Sequence, residues 1–154
     1  MTTTAFASAG LLRRLAAMVY DSLLIMSLSM LYGGIFITIK YGVLHAALAP
    51  GQRASIGLPG FIGMVLVVLA FFCYFWCRGG QTLGMKAWRL KLCDTAGNPV
   101  SLRQALIRCF TAPLSLTCLG LGYLWCLWDR DKKTWHDHIS DTRVVLLPGQ
   151  DRRR

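Results

Sequence analysis

LLRRLAAMVYDSLLI, residues 11–25, decides how this chain is read. An apolar run that should enter a membrane begins with two arginines and carries an aspartate two turns further on. On a helix Arg14 and Asp21 are seven residues apart, so they share a face with an axial offset of about 10 Å at 1.5 Å per residue. Helical side chains lean toward the N-terminus, so Asp21 leans toward Arg14 while Arg14 leans away toward the headgroups. The two therefore share a face without pairing directly, and each needs a partner from elsewhere in the chain. Arg13 reads as an ordinary positive flank of a span. Asp21 costs roughly 3 kcal/mol to insert near a helix centre, less near an end, and such residues face protein or water. A structural ion pair and a functional site are both open for it.

Outward from this stretch the chain reads as an all-α integral membrane protein. Its 154 residues are 55% hydrophobic with long charge-free runs, which predicts one domain over residues 10–147, with 1–9 and 148–154 as loose tails. Leu15–Ile39 and Pro59–Cys77 each supply the about 20 apolar residues that a transmembrane helix needs. Tyr32, Tyr41, Tyr74 and Trp76 suit the interfaces. No basic region precedes the first apolar stretch and no cleavage site follows it, so the first span is expected to be retained. Lys40–Leu58 reads as a loop whose His45 is a surface residue. Gly57, Gly60 and Gly63, spaced by three, would allow close helix approach.

The polar middle begins with Gly80-Gln81-Thr82-Leu83-Gly84, where Thr82 suits a helix N-cap. Arg89–Cys93 alternates with period two, the pattern of a short strand, and the turn Asp94–Pro99 follows. Ser101 suits the start of the next helix. Arg143–Leu147 reads as another short strand, and Arg89–Asp94 and Thr142–Leu147 are expected to pair as a cytoplasmic β-ribbon, since neither is stable alone.

Residues 109–128 form a third charge-free run, interrupted by Pro113 and loosened by Gly120 and Gly122. Lys and Arg number 17 in all. A full third crossing would divide them almost evenly across the membrane, whereas a re-entrant hairpin puts 15 on one side and two on the other. The positive-inside rule favours the hairpin over a third full span. The N-terminus is then cytoplasmic, at a bacterial inner membrane. The formal charge of +10 lies beside apolar spans, which points to anionic lipid headgroups and not to nucleic acid.

Five of the six cysteines lie in apolar segments, with no C-x-x-C pair, and read as small packing residues. His136-Asp137-His138 invites a metal, but histidines two apart cannot share a helical face and no third ligand follows, so no metal and no cofactor are expected. No nucleophile motif, P-loop or dinucleotide fingerprint occurs, and nothing argues for an enzyme. The charged constellation is Arg14, Asp21, Arg108 and Asp137. Arg108, entering the third apolar run, is expected to pair with Asp21 at similar depth, and Arg14 to meet Asp137 near the surface.

These residues resemble a known family. Arg14 with Asp21, the block Gly80–Gly84 followed by a strand and Gly97, then Arg108, Thr134-x-His136-Asp137 and Thr142-Arg143-Val144-Val145 are similar to the signatures of the RDD family of membrane proteins. The resemblance implies that Arg14, Asp21 and Asp137 are the name-giving arginine and aspartates, and it suggests transport. Two departures stand out: Met85 precedes the basic Lys86, and Asp141 precedes Thr142 where a glycine is common. Two classes of function follow. One is a transport-linked protein using an intramembrane Asp/Arg site for a proton or small cation, which needs a homo-oligomer because two spans and a hairpin enclose no pathway. The other is a non-transporting module that recruits or assembles a partner protein through its basic cytoplasmic face.

Overall fold

The computed structural model describes residues 8–44, 48, 51, 53–118 and 120–148; His45, Pro50 and most of both tails lie outside them. The chain is mostly helical, with two helices long and apolar enough to span a membrane and one two-stranded sheet. Helix α1 (Leu11–Ile37) runs on as a π-helical turn, Thr38–Val43. After it come α2 (Gly57–Gly79), the short α3 (Leu83–Ala87) and strand β1 (Leu90–Asp94). Then follow α4 (Leu102–Thr117), α5 (Leu121–Leu124) with a 3-10 turn at Trp125–Leu127, α6 (Trp135–Ile139) and β2 (Thr142–Leu146). They form two compact units, Met1–Asp21 with Phe72–Arg154, and Ser22–Phe71.

The first unit is built on the ribbon. β1 and β2 pair antiparallel with Leu90 opposite Leu146, Leu92 opposite Val144 and Asp94 opposite Thr142. Leu90, Leu92 and Val144 thereby turn into a core with Ala17, Trp76, Met85 and Ala105. Ser8 and Ala9, expected in a loose tail, instead extend the sheet: Ser8 bridges Val145, and Ala9 N donates to Val144 O at 3.0 Å. Gly80 has φ +68° and its carbonyl accepts from Leu92 N at 2.7 Å. A Cβ there would stand 2.5 Å from the Leu92 carbonyl oxygen, so only glycine lets β1 pass. Asp141, at φ +51°, shows why a glycine is common before Thr142; aspartate is among the residues that tolerate this region.

Ser101 caps α4 through a capping box with Gln104. Pro113 does not interrupt this helix, which continues to Thr117. A proline removes one backbone bond, and the Thr111 and Ser115 hydroxyls beside it bond back to Ile107 O and Thr111 O. The break falls at Gly120, φ +74°. Beyond it Gly122 lies so close to Ser115 that a Cβ would sit 2.5 Å from the Ser115 Cβ. α5 therefore folds back on α4, and residues 109–128 form a helical hairpin whose two feet meet at one charged cluster.

In the second unit two of the three glycines spaced along the start of α2 pack closely, and Gly57 does not. Gly60 lies against the Phe36 ring, 2.9 Å from a Cβ placed on it, and Gly63 lies against Tyr32. Beyond the helices Lys40 Nζ donates to Ser55 O at 2.9 Å.

Candidate functional site

Two buried carboxylates organise the charged residues of the first unit, and each is approached differently. Asp137 is at the third position of α6, whose N-cap is Thr134. Its Oδ2 accepts from the Thr134 backbone N–H at 3.1 Å and from Arg14 Nη1 at 2.5 Å. Its Oδ1 accepts from Arg108 Nη1. Arg14 is pinned further by Nε to Ala9 O at 3.1 Å and Nη2 to Lys132 O at 3.0 Å. The Arg108 guanidinium lies over the Trp76 ring, 5.5 Å from its centroid.

From Arg108 a line of hydroxyls runs onward. Arg108 Nη1 donates to Thr142 Oγ1 at 2.9 Å, and Ser140 Oγ donates to the His136 carbonyl at 2.6 Å. Ser140 has only one proton, so in the 2.8 Å contact between the two hydroxyls Thr142 is the donor. All donors in the line point one way, which polarises each bond along it.

Arg14, Arg108, Asp137, His136, Ser140 and Thr142 are all buried. Burial alone would raise the Asp137 carboxyl, but Arg108 and then Arg14 outweigh it and hold the group well below the usual carboxylate range. Burial first, then the nearby Arg108 charge, pushes His136 down to about 3 against the pull of Asp137. His136 is therefore neutral, with Nε2 on Thr134 Oγ1 at 2.9 Å and its ring against Tyr123. Its Nδ1 has no hydrogen-bond partner among the described residues. His138 points elsewhere, exposed, 3.4 Å from Asp129. Among the described residues no three His, Cys, Asp or Glu side chains come together to hold a metal ion.

Asp21 is buried as well, but no arginine among the described residues reaches it. Its Oδ2 accepts from Thr82 Oγ1 at 2.5 Å and its Oδ1 from Gly84 N at 2.9 Å. Thr82 is also the N-cap of α3, accepting from Met85 N at 3.2 Å. Gly84 allows this approach, because a Cβ there would collide with the Ala17 carbonyl and lie 2.9 Å from the Asp21 carboxylate. Gln81 completes the block by donating from Nε2 to Leu90 O at 2.6 Å, while Leu83 is exposed and Gly97 sits in the β1 turn at φ +93°.

The Arg14–Asp137 pair is the one expected from the lean of the helix, whereas Arg108 goes to Asp137 and not to Asp21. One carboxylate has about four acceptor sites and so can take both guanidiniums, while Asp21 takes the Thr82 hydroxyl and the Gly84 amide instead. Thr134, Ser140, Trp76 and the carbonyls of Ala9 and Lys132 also belong to the arginine cluster. Of these only Thr134 carries a sequence signal, standing three residues before an acid as an N-cap does.

The model of a family described as the RDD family matches residues 8–141. No curated protein and no solved structure matches the chain significantly.

Proposed function

The chain belongs to the RDD family, and from that premise we propose an integral membrane protein in which Asp21 handles a proton or small cation. Both apolar helices cross the bilayer, the hairpin 109–128 re-enters from the cytoplasmic side, and the N-terminus is cytoplasmic at a bacterial inner membrane. A single crossing of about 30 Å would separate Arg108 from Asp137, yet the two are ion-paired. The ion-handling reading is carried by one observation: among the described residues Asp21 is buried with neutral donors alone, while Arg14 and Arg108 are committed to Asp137. A carboxylate already clamped by two guanidiniums has no need of a mobile cation, whereas one held by a hydroxyl and an amide can exchange its counter-charge. Two spans enclose no pathway, so the working form is a homo-oligomer.

A second reading rests on the same bonds. Asp21 fastens α3 to α1 through Thr82 and Gly84, and Lys86, Arg89, Lys91 and Arg103 are exposed on the same unit. In that case the carboxylate only holds a basic face in place for a partner protein. Cation-driven proton flux in proteoliposomes separates the two. Asp21→Asn keeps an acceptor for Gly84 and a group for Thr82 but removes the charge, so ion handling predicts a folded protein without flux. Wild-type protein without flux under any cation gradient would leave the recruitment reading.

A further inference from the structure

The outer surface of the α4–α5 hairpin is apolar and uncovered. Leu102, Leu106, Phe110 and Leu114 recur at intervals of four along α4 and are all exposed, Phe110 to 65% and Leu114 to 61%. The opposite side of the helix carries the buried Ala105, Arg108 and Ser115. No charged residue occurs between Arg108 and Asp129. Several polar groups of the hairpin are satisfied within it. Thr111, Ser115 and Thr117 hydroxyls donate to carbonyls three or four residues back. At the reversal Leu121 N donates to Cys118 O, and Tyr123 N and Leu124 N to Gly120 O. A backbone turn closed on itself in this way tolerates surroundings without water.

The returning foot has a different character. Trp128 is 76% exposed, and Arg130 and Lys132 beyond it are exposed too, with Asp131 between them paired to Lys133 at 3.5 Å. The corner that presents them is firmly held: Asp129 Oδ2 accepts from Lys133 N at 2.8 Å, and Lys132 O is the carbonyl that Arg14 grips at 3.0 Å. Exposed tryptophan next to basic residues, at the edge of a charge-free apolar surface, matches the boundary between acyl chains and anionic headgroups. From Leu106 to Thr117 the helix rises about 16 Å, about half of the roughly 30 Å hydrocarbon core.

We infer that the hairpin is a half-depth anchor in the cytoplasmic leaflet that selects anionic phospholipid, with acyl chains on the α4 stripe and lipid phosphates at Arg130 and Lys132. The inference rests on the membrane reading above and deepens it by naming the lipid class. A partner protein or a second copy could cover the same apolar stripe, but neither accounts for the tryptophan and basic corner at its foot.

Cys118, exposed at the reversal, provides a native reporter. The full chain is reconstituted in phosphatidylcholine vesicles with and without phosphatidylglycerol and treated with water-soluble or lipid-soluble maleimide. Cys118 should resist the water-soluble reagent applied to either side, react with the lipid-soluble one, and lose that signal in Cys118→Ala. Rapid water-soluble labelling would overturn the anchor and the re-entrant topology together. Efficient oxidative cross-linking of Cys118 between copies would overturn it in favour of a second copy. The lipid class is tested separately, by mass spectrometry of lipids that stay with protein extracted from the mixed vesicles. Phosphatidylglycerol should be enriched over phosphatidylcholine, and Arg130→Gln and Lys132→Gln should each lower that enrichment about fivefold. Equal retention of both lipids, or enrichment untouched by the substitutions, would sink the lipid selectivity while leaving a protected Cys118, and hence the topology, intact.

Discussion

Asp137 and Asp21 are both buried aspartates in one compact unit, and they meet opposite solutions to the same cost. Asp137 receives two guanidiniums and a backbone amide, each guanidinium being tied to further protein groups. Among the described residues Asp21 receives one hydroxyl and one amide, and no cation. The first arrangement is a fixed junction: α1, α4 and α6 meet on one carboxylate, with β2 joined through Arg108, and its charge cannot change without releasing two arginines. In the second, no cation among the described residues of the unit faces the carboxyl group. Burial alone thus does not distinguish the two aspartates; the charge of the described donors around each does.

The largest expected effect tests the junction. Asp137→Asn keeps the size of the side chain and an acceptor, but leaves two buried guanidiniums without a counter-charge. Breaking a buried pair by removing one partner costs roughly 3–5 kcal/mol, so the variant should accumulate in the membrane far below wild type and lose its cooperative unfolding in detergent. Wild-type accumulation would mean that Arg14 and Arg108 find another anion, and the contrast between the two aspartates would collapse.

Much of the junction is legible in the amino-acid sequence, and the Asp21 site is not, for a physical reason. The lean of helical side chains is enough to send Arg14 away from Asp21 and toward a later carboxylate. Alternation in Arg89–Asp94 and Thr142–Leu147 is enough to expect the ribbon, whose register then follows from Leu92 and Val144 turning inward. Thr82 and Ser101 announce themselves as caps. Matching a buried aspartate with the nearest intramembrane arginine weighs charge alone, and so it pairs Asp21 with Arg108. What it misses is that a glycine two residues after an N-cap exposes a backbone N–H at close range. Gly84 is visible as part of a motif, but its missing side chain becomes informative only once Ala17 and Asp21 are seen against it. Pro113 misleads in the same way, because a single lost backbone bond is tolerated while the positive φ of Gly120 sets the break.

A smaller effect is expected where Asp21 is held. Thr82→Val keeps the shape of the side chain but removes both the donor to Asp21 and the cap on Met85 N. An unsatisfied buried acceptor costs about 1–3 kcal/mol and a lost cap about 1 kcal/mol, so a loss of about 2–3 kcal/mol in detergent unfolding is expected. Thr82→Ser should restore most of it. A Val variant as stable as wild type would show that the hydroxyl is not what holds Asp21.

Acid sensitivity gives the next test, because the arginine cluster contains a histidine and the Asp21 site does not. His136 falls to about 3 in the folded protein from an ordinary value of 6.5. Below pH 6.5 the unfolded chain therefore binds a proton that the folded chain refuses, and stability falls with pH until about pH 3. Asp137, held low, contributes stability that is present above the ordinary carboxylate range and lost only beneath it. Between pH 6.5 and 4.5 the slope is then that of His136, about 2 kcal/mol in all. His136→Gln should flatten it. A slope that persists in that variant would place the acid-sensitive group elsewhere.

The smallest expected effect on stability is the most informative, because it repeats the first substitution at the other aspartate. In Asp21→Asn the amide oxygen can accept from Gly84 N, and the amide nitrogen can donate to Thr82 Oγ1, which has lone pairs to spare. Both contacts survive with reversed polarity at one of them, and no guanidinium is stranded, because both arginines already have Asp137. The cost should stay below about 1 kcal/mol, within the range of one neutral hydrogen bond, against several for the same change at Asp137. Unfolding of the two asparagine variants in the same detergent measures the difference directly. If Asp21→Asn is as damaging as Asp137→Asn, Asp21 carries a counter-charge that the described residues do not supply. A cation bound there, or an arginine from a second copy, would then be required for folding itself.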